Sequence, residues 1–557
     1  MALGQLISEY GPLLERVSVV ALVVALILSY VIVTRLDDEN SSQINPLQKR
    51  FLLGVPWGTI IVVVSVYAVY HLIQGAGEPG GPNVVGFRSW SLWYPQSILF
   101  SAFSHASESH LTGNLLATVA FASIVEYAWG HYPTGRGQQS FSSWRTNPFA
   151  RIGVFVSATF LVGLANSLLV PGAIIGFSGV VFAFAGFALV ARPLLSVGAI
   201  VGLQALDLVY SSLRSPLGFA EGDTRFVTPS WADTALQGHL FGMVVGVLLA
   251  VMLFRYRKVS PKLLYIWFAA LVFAVTRSMW AIYWYLGEAE FVLFRGVGAA
   301  AVLILASVVA LAVISKEYRI PLPRKRLNIP LQTVAISVLV FIVVVVSLFG
   351  IPYNLVPVTS GEETQQGIEI DGYTVTYAEG VEDRYTAIDL PVLQEALSVQ
   401  MSGVVVTSDE RNVWALDTPR SELAFDGRAV VVVGDATWRE VVIINRTQWE
   451  VAGGETTYKV FGQHWQVDDE QRLLFESDPA TAEPKINGTR VSIQPAEEFY
   501  DIVVEDGNET LGQERVPSHN ETVEIANIEF ERTHNELTAI HERTELPLAE
   551  YREGREE

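Results

Sequence analysis

The chain contains no cysteine. Disulfide staples, thiolate metal sites and cysteine nucleophiles are therefore excluded, and the redox compartment leaves no mark on the sequence. Basic charge is scarce over one long stretch. Residues 1–350 hold 22 Lys and Arg against 15 Asp and Glu, whereas residues 351–557 hold 15 against 42. No nucleic-acid partner is expected. Half of the 557 residues are hydrophobic although the formal net charge is −20. The two properties must belong to different parts: a membrane-embedded region first, an acidic soluble domain after it. So many carboxylates suit a chain bathed in concentrated salt, where screening collapses self-repulsion. A halophilic, archaeal source is the expectation.

Crossing about 30 Å of hydrocarbon takes roughly 20 apolar residues. Ten runs qualify by length or nearly so: Val17 to Val33, Phe51 to Ile73, Leu111 to Trp129, Ile152 to Val170, Ser178 to Val190, Leu194 to Leu213, Gln237 to Phe254, Leu263 to Tyr285, Phe291 to Val313 and Leu331 to Ile351. Lys and Arg between them are lopsided: alternate connections carry 16 cations, among them Arg50, Arg151, Arg192, Arg255 and Arg257, and the others carry four. The cation-rich loops are predicted to be cytoplasmic, with both termini outside.

The acidic segment then faces the exterior. Asn445, Asn487, Asn508 and Asn520 each open an Asn-X-Thr triplet there and are glycosylation candidates. Runs such as Tyr373 to Tyr377, Ala429 to Val433 and Thr457 to Phe461 are β-branched and aromatic, separated by Gly and Asp, and predict a small, mainly β domain over about 355–500. Residues 509–557 are charge-rich and read as partly helical or disordered.

Polar groups inside a bilayer are expensive, so their positions are informative. Three sets stand on separate apolar runs: His110-Leu-Thr-Gly-Asn114, Gly176-Phe-Ser178-Gly179, and His239-Leu-Phe-Gly242-Met-Val-Val-Gly246. His110 and Asn114, four apart, share a helix face. Serine is a poor nucleophile until a base takes its proton, and histidine is the usual base. A developing oxyanion needs fixed donors, which the Ser178 N–H, His110 and Asn114 supply. Gly242 and Gly246 share a face with His239, and Gly179, Ala183 and Gly186 offer a small face on the serine helix, so the two helices can pack closely. Depth agrees: Ser178, His239 and Asn114 lie 14, 16 and 16 residues from Arg192, Arg255 and Gly130. At 1.5 Å per residue all three sit roughly 21–24 Å above the inner face.

HxxxN, GxSG and HxxGxxxG, in this order and orientation across about residues 51–257, resemble the rhomboid family of intramembrane serine proteases. The resemblance implies a six-helix core and a Ser178–His239 dyad without an aspartate. It implies an oxyanion site of Ser178 N–H, His110 and Asn114, and transmembrane proteins as substrates. It makes the segment from Gly75 to Ser109 the family's long first loop, and it makes Glu126 and His105 structural. Two positions depart from the family. Arg88-Ser-Trp90 reverses and spaces its usual Trp-Arg pair, and Phe182 stands where a tyrosine often stacks on the histidine. Stacking is expected to survive there without the phenolic hydrogen bond. No cofactor or metal is implied.

The expected organisation is an all-α polytopic membrane protein, a rhomboid six-helix core with about four extra transmembrane helices, followed by a mainly β, acidic soluble domain. Residues 1–50 hold an extra helix and a cytoplasmic loop, 51–257 the protease core, 258–351 three added helices, and 352–557 the extracellular domain with a charged tail. Two other functions are weighed against the protease. A catalytically dead relative that binds membrane clients normally lacks the serine or histidine, and both are present. A transporter would show repeated halves with paired midplane charges, and no such repeat is seen. Asp207, Arg277 and Arg295 fall within or near apolar spans, and Arg277 is expected to pair with Asp207. Valine at position 180 breaks the GxSxG elbow of α/β-hydrolases.

Overall fold

Backbone polar groups in hydrocarbon must be satisfied within their own segment, and long apolar runs therefore become helices. The computed structural model describes residues 50–553 except 134–142, most of 215–234, 259–260, 288–289, 315–318, 322–327, 356–366, 383–399 and a few positions near 466–470, 497–498 and 508, together with scattered residues between 16 and 28. Its helices are α1 (Trp57–Ala68, continued by a π turn, Val69–Ile73), α2 (Pro95–Ser101), α3 (Glu108–Trp129), α4 (Pro148–Leu169), α5 (Ser178–Ala191), α6 (Pro193–Arg214), α7 (Leu236–Arg257), α8 (Leu263–Thr276), α9 (Arg295–Ala312), α10 (Leu331–Tyr353) and α11 (Arg420–Asp426). Among the described residues six helices, α3, α4, α6, α7, α9 and α10, are long and apolar enough to cross a membrane, and α1, α5 and α8 are shorter. The first apolar run, Val17 to Val33, lies mostly outside the described residues.

One expected span divides. The run from Leu263 to Tyr285 is helical only to Thr276; Ser278 then turns the chain at φ +52, and Tyr283–Gly287 pairs antiparallel with Glu290–Leu293. Tyr283 and Trp284 are good strand formers as well as apolar, so hydropathy alone joined two different elements.

Helix α5 is buried from Gly179 to Val190. It packs against α3, α4, α6 and most extensively α7. Glu126 fixes α1 beside this core. Its carboxylate accepts from the Gly58 and Thr59 N–H groups at 2.7 and 2.8 Å, in the first turn of α1, and from Nε2 of His131 at 2.6 Å. Since His131 Nδ1 accepts from Leu52 N–H, the ring proton must sit on Nε2. The added helices are part of the bundle: α10 packs on α4 and α7, and α8 on α6 and α9. The cation-rich connections meet at one end, where Arg50, Arg151 and Arg257 converge on the last turn of α3 and Arg255 bonds Gln332 at the start of α10.

At the opposite end lies the β domain, which has two lobes. In the first, a four-stranded meander (Ile368–Ile370, Tyr373–Glu382, Gln400–Ser408, Val413–Pro419) faces strands Arg428–Gly434, Arg439–Val451 and Thr456–His464 over Val375, Val406, Val431 and Ile444. The 13-residue strand Arg439–Val451 runs on into the second lobe, where Trp449 and Val451 meet Ile493, Ile502, Phe530 and Leu548. Strands continue to Glu553. The charge-rich residues 509–557 are thus not helical or disordered where described. Hairpins turn at Ala526–Asn527, His534 and Glu542, all with positive φ, and their outward positions carry the charge.

The domain is seated on the long loop between α1 and α3. Val85, Trp90 and Tyr94 of the loop belong to the same buried cluster as Tyr373, Val431 and Val433. Arg439 donates to the carbonyls of Gly75, Pro79 and Gly81 at 2.5, 2.7 and 2.7 Å, and a Cβ on Gly86 would stand 2.1 Å from Gly434 O. Burial lowers the pKa of Arg88 and raises that of Asp417 on the facing strand, and each charge partly offsets the other's shift.

Candidate active site

Ser178 is the first residue of α5, and the chain reaches it through Gly176 at φ +124. Only glycine serves there, because the conformation is left-handed and a Cβ would stand 2.6 Å from His110 Cε1. His239 lies in the first turn of α7. The two helices approach backbone to backbone: a Cβ on Gly242 would come 1.9 Å from Gly179 O, and one on Gly246 1.9 Å from Ala183 O. This contact sets His239 Nε2 2.7 Å from Ser178 Oγ. One turn beyond the serine, the ring of Phe182 stacks on the imidazole, centroids 4.0 Å apart and planes 9° from parallel. His239 Nδ1 is buried, and among the described residues no hydrogen-bond partner orients the ring from that side.

A helix leaves its first N–H groups without intrahelical acceptors and carries partial positive charge at that end. The Ser178 N–H is one of these. His110 is in the first turn of α3, where Ser107 Oγ accepts its backbone N–H at 3.2 Å, and its imidazole faces Gly176. Asn114 follows one turn later, with Nδ2 buried and without a hydrogen-bond partner among the described residues. An amide donor left open at that depth costs about 1–3 kcal/mol. His105 supports the turn before the serine. Gln74 holds its backbone N–H and carbonyl at 2.7 and 3.1 Å, and its Nε2 accepts from Phe177 N–H at 3.4 Å.

Sequence reasoning passed over Asn166. Its Nδ2 donates to Gly238 O at 3.3 Å and would lie 1.6 Å from a Cβ on Gly179, so one amide touches the neighbours of both Ser178 and His239. The available signal was a carboxamide inside an apolar run. Phe273, on the added helix α8, was passed over as well. It meets Phe182 edge-on at 5.1 Å and Phe121 of α3 at 5.8 Å.

Other candidates take no part in the Ser178–His239 contact. Asp207 and Arg277 are both exposed, and among the described residues no ion pair joins them. Trp90 is buried under the β domain, with Nε1 donating to Val85 O at 2.6 Å. Asn487 and Asn520 are exposed in turns, Asn445 is half-buried on a paired strand, and Asn508 lies outside the described residues. Among the described residues, no group of three or more His, Asp or Glu side chains converges as metal ligands would.

The family model of the rhomboid domain matches residues 90–256. No curated protein and no solved structure matches the chain. The matched segment spans all three motifs and is similar to a rhomboid domain, and the six long apolar helices fit a multi-pass membrane protein.

Proposed function

We propose that the protein is an intramembrane serine endopeptidase that cuts membrane-spanning segments of other proteins. The observation that carries this reading is the 2.7 Å contact between Ser178 Oγ and His239 Nε2 in a helix-packed site. In the first step His239 Nε2 takes the hydroxyl proton as Oγ bonds to the scissile carbonyl carbon. The carbonyl oxygen becomes an oxyanion, held by the Ser178 N–H, His110 and Asn114 Nδ2. His239 then returns the proton to the leaving amine as the C–N bond breaks. Water, deprotonated by the same imidazole, releases the acyl group and restores the serine.

Gly176 and Gly179 serve by leaving room for His110 and Asn166, and Gly242 and Gly246 by letting α7 reach α5. The stacked face of Phe182 restrains the imidazole that no aspartate orients. The cation-rich end faces the cytoplasm, which puts Ser178 and the β domain toward the exterior and makes Asn487 and Asn520 accessible to glycosylation. The carboxylate surplus of that domain suits concentrated salt.

A fluorophosphonate probe tests the nucleophile without requiring the substrate. It should label the purified protein at Ser178, and Ser178→Ala or His239→Ala should abolish labelling. Equal labelling of Ser178→Ala would end the proposal.

A further inference from the structure

The basic end of the bundle holds more positive charge than its protein contacts need. Arg50 Nε and Nη2 donate to the Tyr127 and Ala128 carbonyls at 3.0 and 2.7 Å. Arg257 donates to Ala128 and, at 2.9 Å, to Trp129. Arg151 donates to Trp129 and Gly130 at 2.9 and 2.8 Å. Three guanidinium groups from three segments thus cap one helix end, whose dipole supplies only about half a negative charge. Among the described residues no carboxylate forms an ion pair with any of them. Arg192 adds a fourth cation, 5.8 Å from the same Tyr127 ring that Arg50 overlies.

From this cluster an almost wholly apolar groove of about 460 Å³ runs up the outside of the bundle between α4 and α7, floored by α5. Trp129, Ala158, Phe184, Met252 and Tyr256 are among its walls. Trp129 joins the two features. Its side chain lines the groove, its carbonyl holds Arg151 and Arg257, and its ring lies 4.1 Å beneath the Arg151 guanidinium. From the level of Arg151 the groove reaches Val162 on the same helix, a rise of about 16 Å at 1.5 Å per residue, or roughly half of a 30 Å hydrocarbon core. That is the depth of one leaflet, too short a seam for a spanning helix.

We infer that this groove and its arginine cluster bind one anionic phospholipid of the basic-side leaflet, with an acyl chain between α4 and α7 and the phosphate at Arg151 and Arg257. Charge complementarity selects the headgroup, since anionic lipids gather at such clusters. The interfacial Trp129 and Tyr256 mark the boundary between chain and head. The occupant lies on the face of α5 away from Ser178, so the inference stands apart from the reading of the catalytic site.

The test is native mass spectrometry of the full chain in neutral detergent, with dioleoyl phosphatidylglycerol or dioleoyl phosphatidylcholine added. Wild type should retain one phosphatidylglycerol, with occupancy about tenfold above that of phosphatidylcholine. Ala158→Trp, which fills the groove and leaves every arginine in place, should remove that preference while its lipid-free thermal unfolding matches wild type. Arg151→Gln with Arg257→Gln should lower phosphatidylglycerol retention to the phosphatidylcholine level. Equal retention of the two lipids by wild type would overturn the inference. So would undiminished phosphatidylglycerol binding by Ala158→Trp.

Discussion

The ring of Phe182 lies flat on the His239 imidazole at 4.0 Å, and Phe273 of α8 meets the same ring edge-on at 5.1 Å. A helix outside the segment matched by the rhomboid family model thereby backs the group that orients the histidine. Stacked aromatic pairs contribute about 0.5–1.5 kcal/mol beyond their burial. Phe182→Leu should therefore lower kcat by about two- to tenfold with KM nearly constant, and Phe182→Tyr should retain activity. Phe273→Ala should cause a smaller loss in the same parameter. Steady-state cleavage of a membrane-spanning substrate measures all three, and unchanged kcat in Phe182→Leu would remove the stack from the account.

His110 and Asn114 are assigned to charge that exists only in the transition state. Losing either should reduce kcat by about 10² to 10³ and leave KM in place. Asn114→Ala should be the milder, because His110 and the Ser178 N–H still hold the oxygen. The double variant should lose less than the product of the singles if the donors act as one unit. Normal cleavage combined with early melting would instead make these residues interhelical glue.

Glycine at the seam between α5 and α7 gives a sharp contrast with glycine in open space. A Cβ at position 242 would stand 1.9 Å from Gly179 O, whereas one at Gly202 of α6 meets nothing within 4 Å. Gly242→Ala should destabilise by about 1–3 kcal/mol and separate Ser178 from His239. Gly202→Ala should be neutral or stabilise by up to about 1 kcal/mol. Thermal unfolding with parallel cleavage assays distinguishes them, and equal behaviour would contradict the packing described.

Arg439 ties the β domain to the first loop through three carbonyls. Arg439→Ala should leave both bodies folded and raise amide exchange over residues 75–94 by about tenfold or more. Unchanged exchange there would mean that the shared core around Trp90 and Tyr373 alone holds the domain.

What could be read from the sequence was local. HxxxN, GxSG and HxxGxxxG announced their residues because spacing along a helix fixes which side chains share a face, and small residues announced the seam. Asn166 and Phe273 escaped because their importance comes from contacts across the bundle, not from neighbours in sequence. The first three residues of the strand Tyr283–Gly287 were absorbed into a helix since aromatic residues are apolar in either conformation. Residues 509–553 were misjudged because charge on the outward face of β hairpins outweighs their alternating Val, Ile and Leu in composition. Trp90 and Tyr94 gave no sign that they complete the core of a domain nearly 300 residues away.

The most direct measurement is cleavage of a single-span membrane protein by the purified chain, its Ser178→Ala variant and its His239→Ala variant, with helicity and melting followed for each. Wild type should release two fragments cut within or near the span on its exterior side. Both variants should release none while folding as wild type does. Fragments produced by Ser178→Ala at the wild-type rate would contradict the account, whatever the geometry between Ser178 and His239.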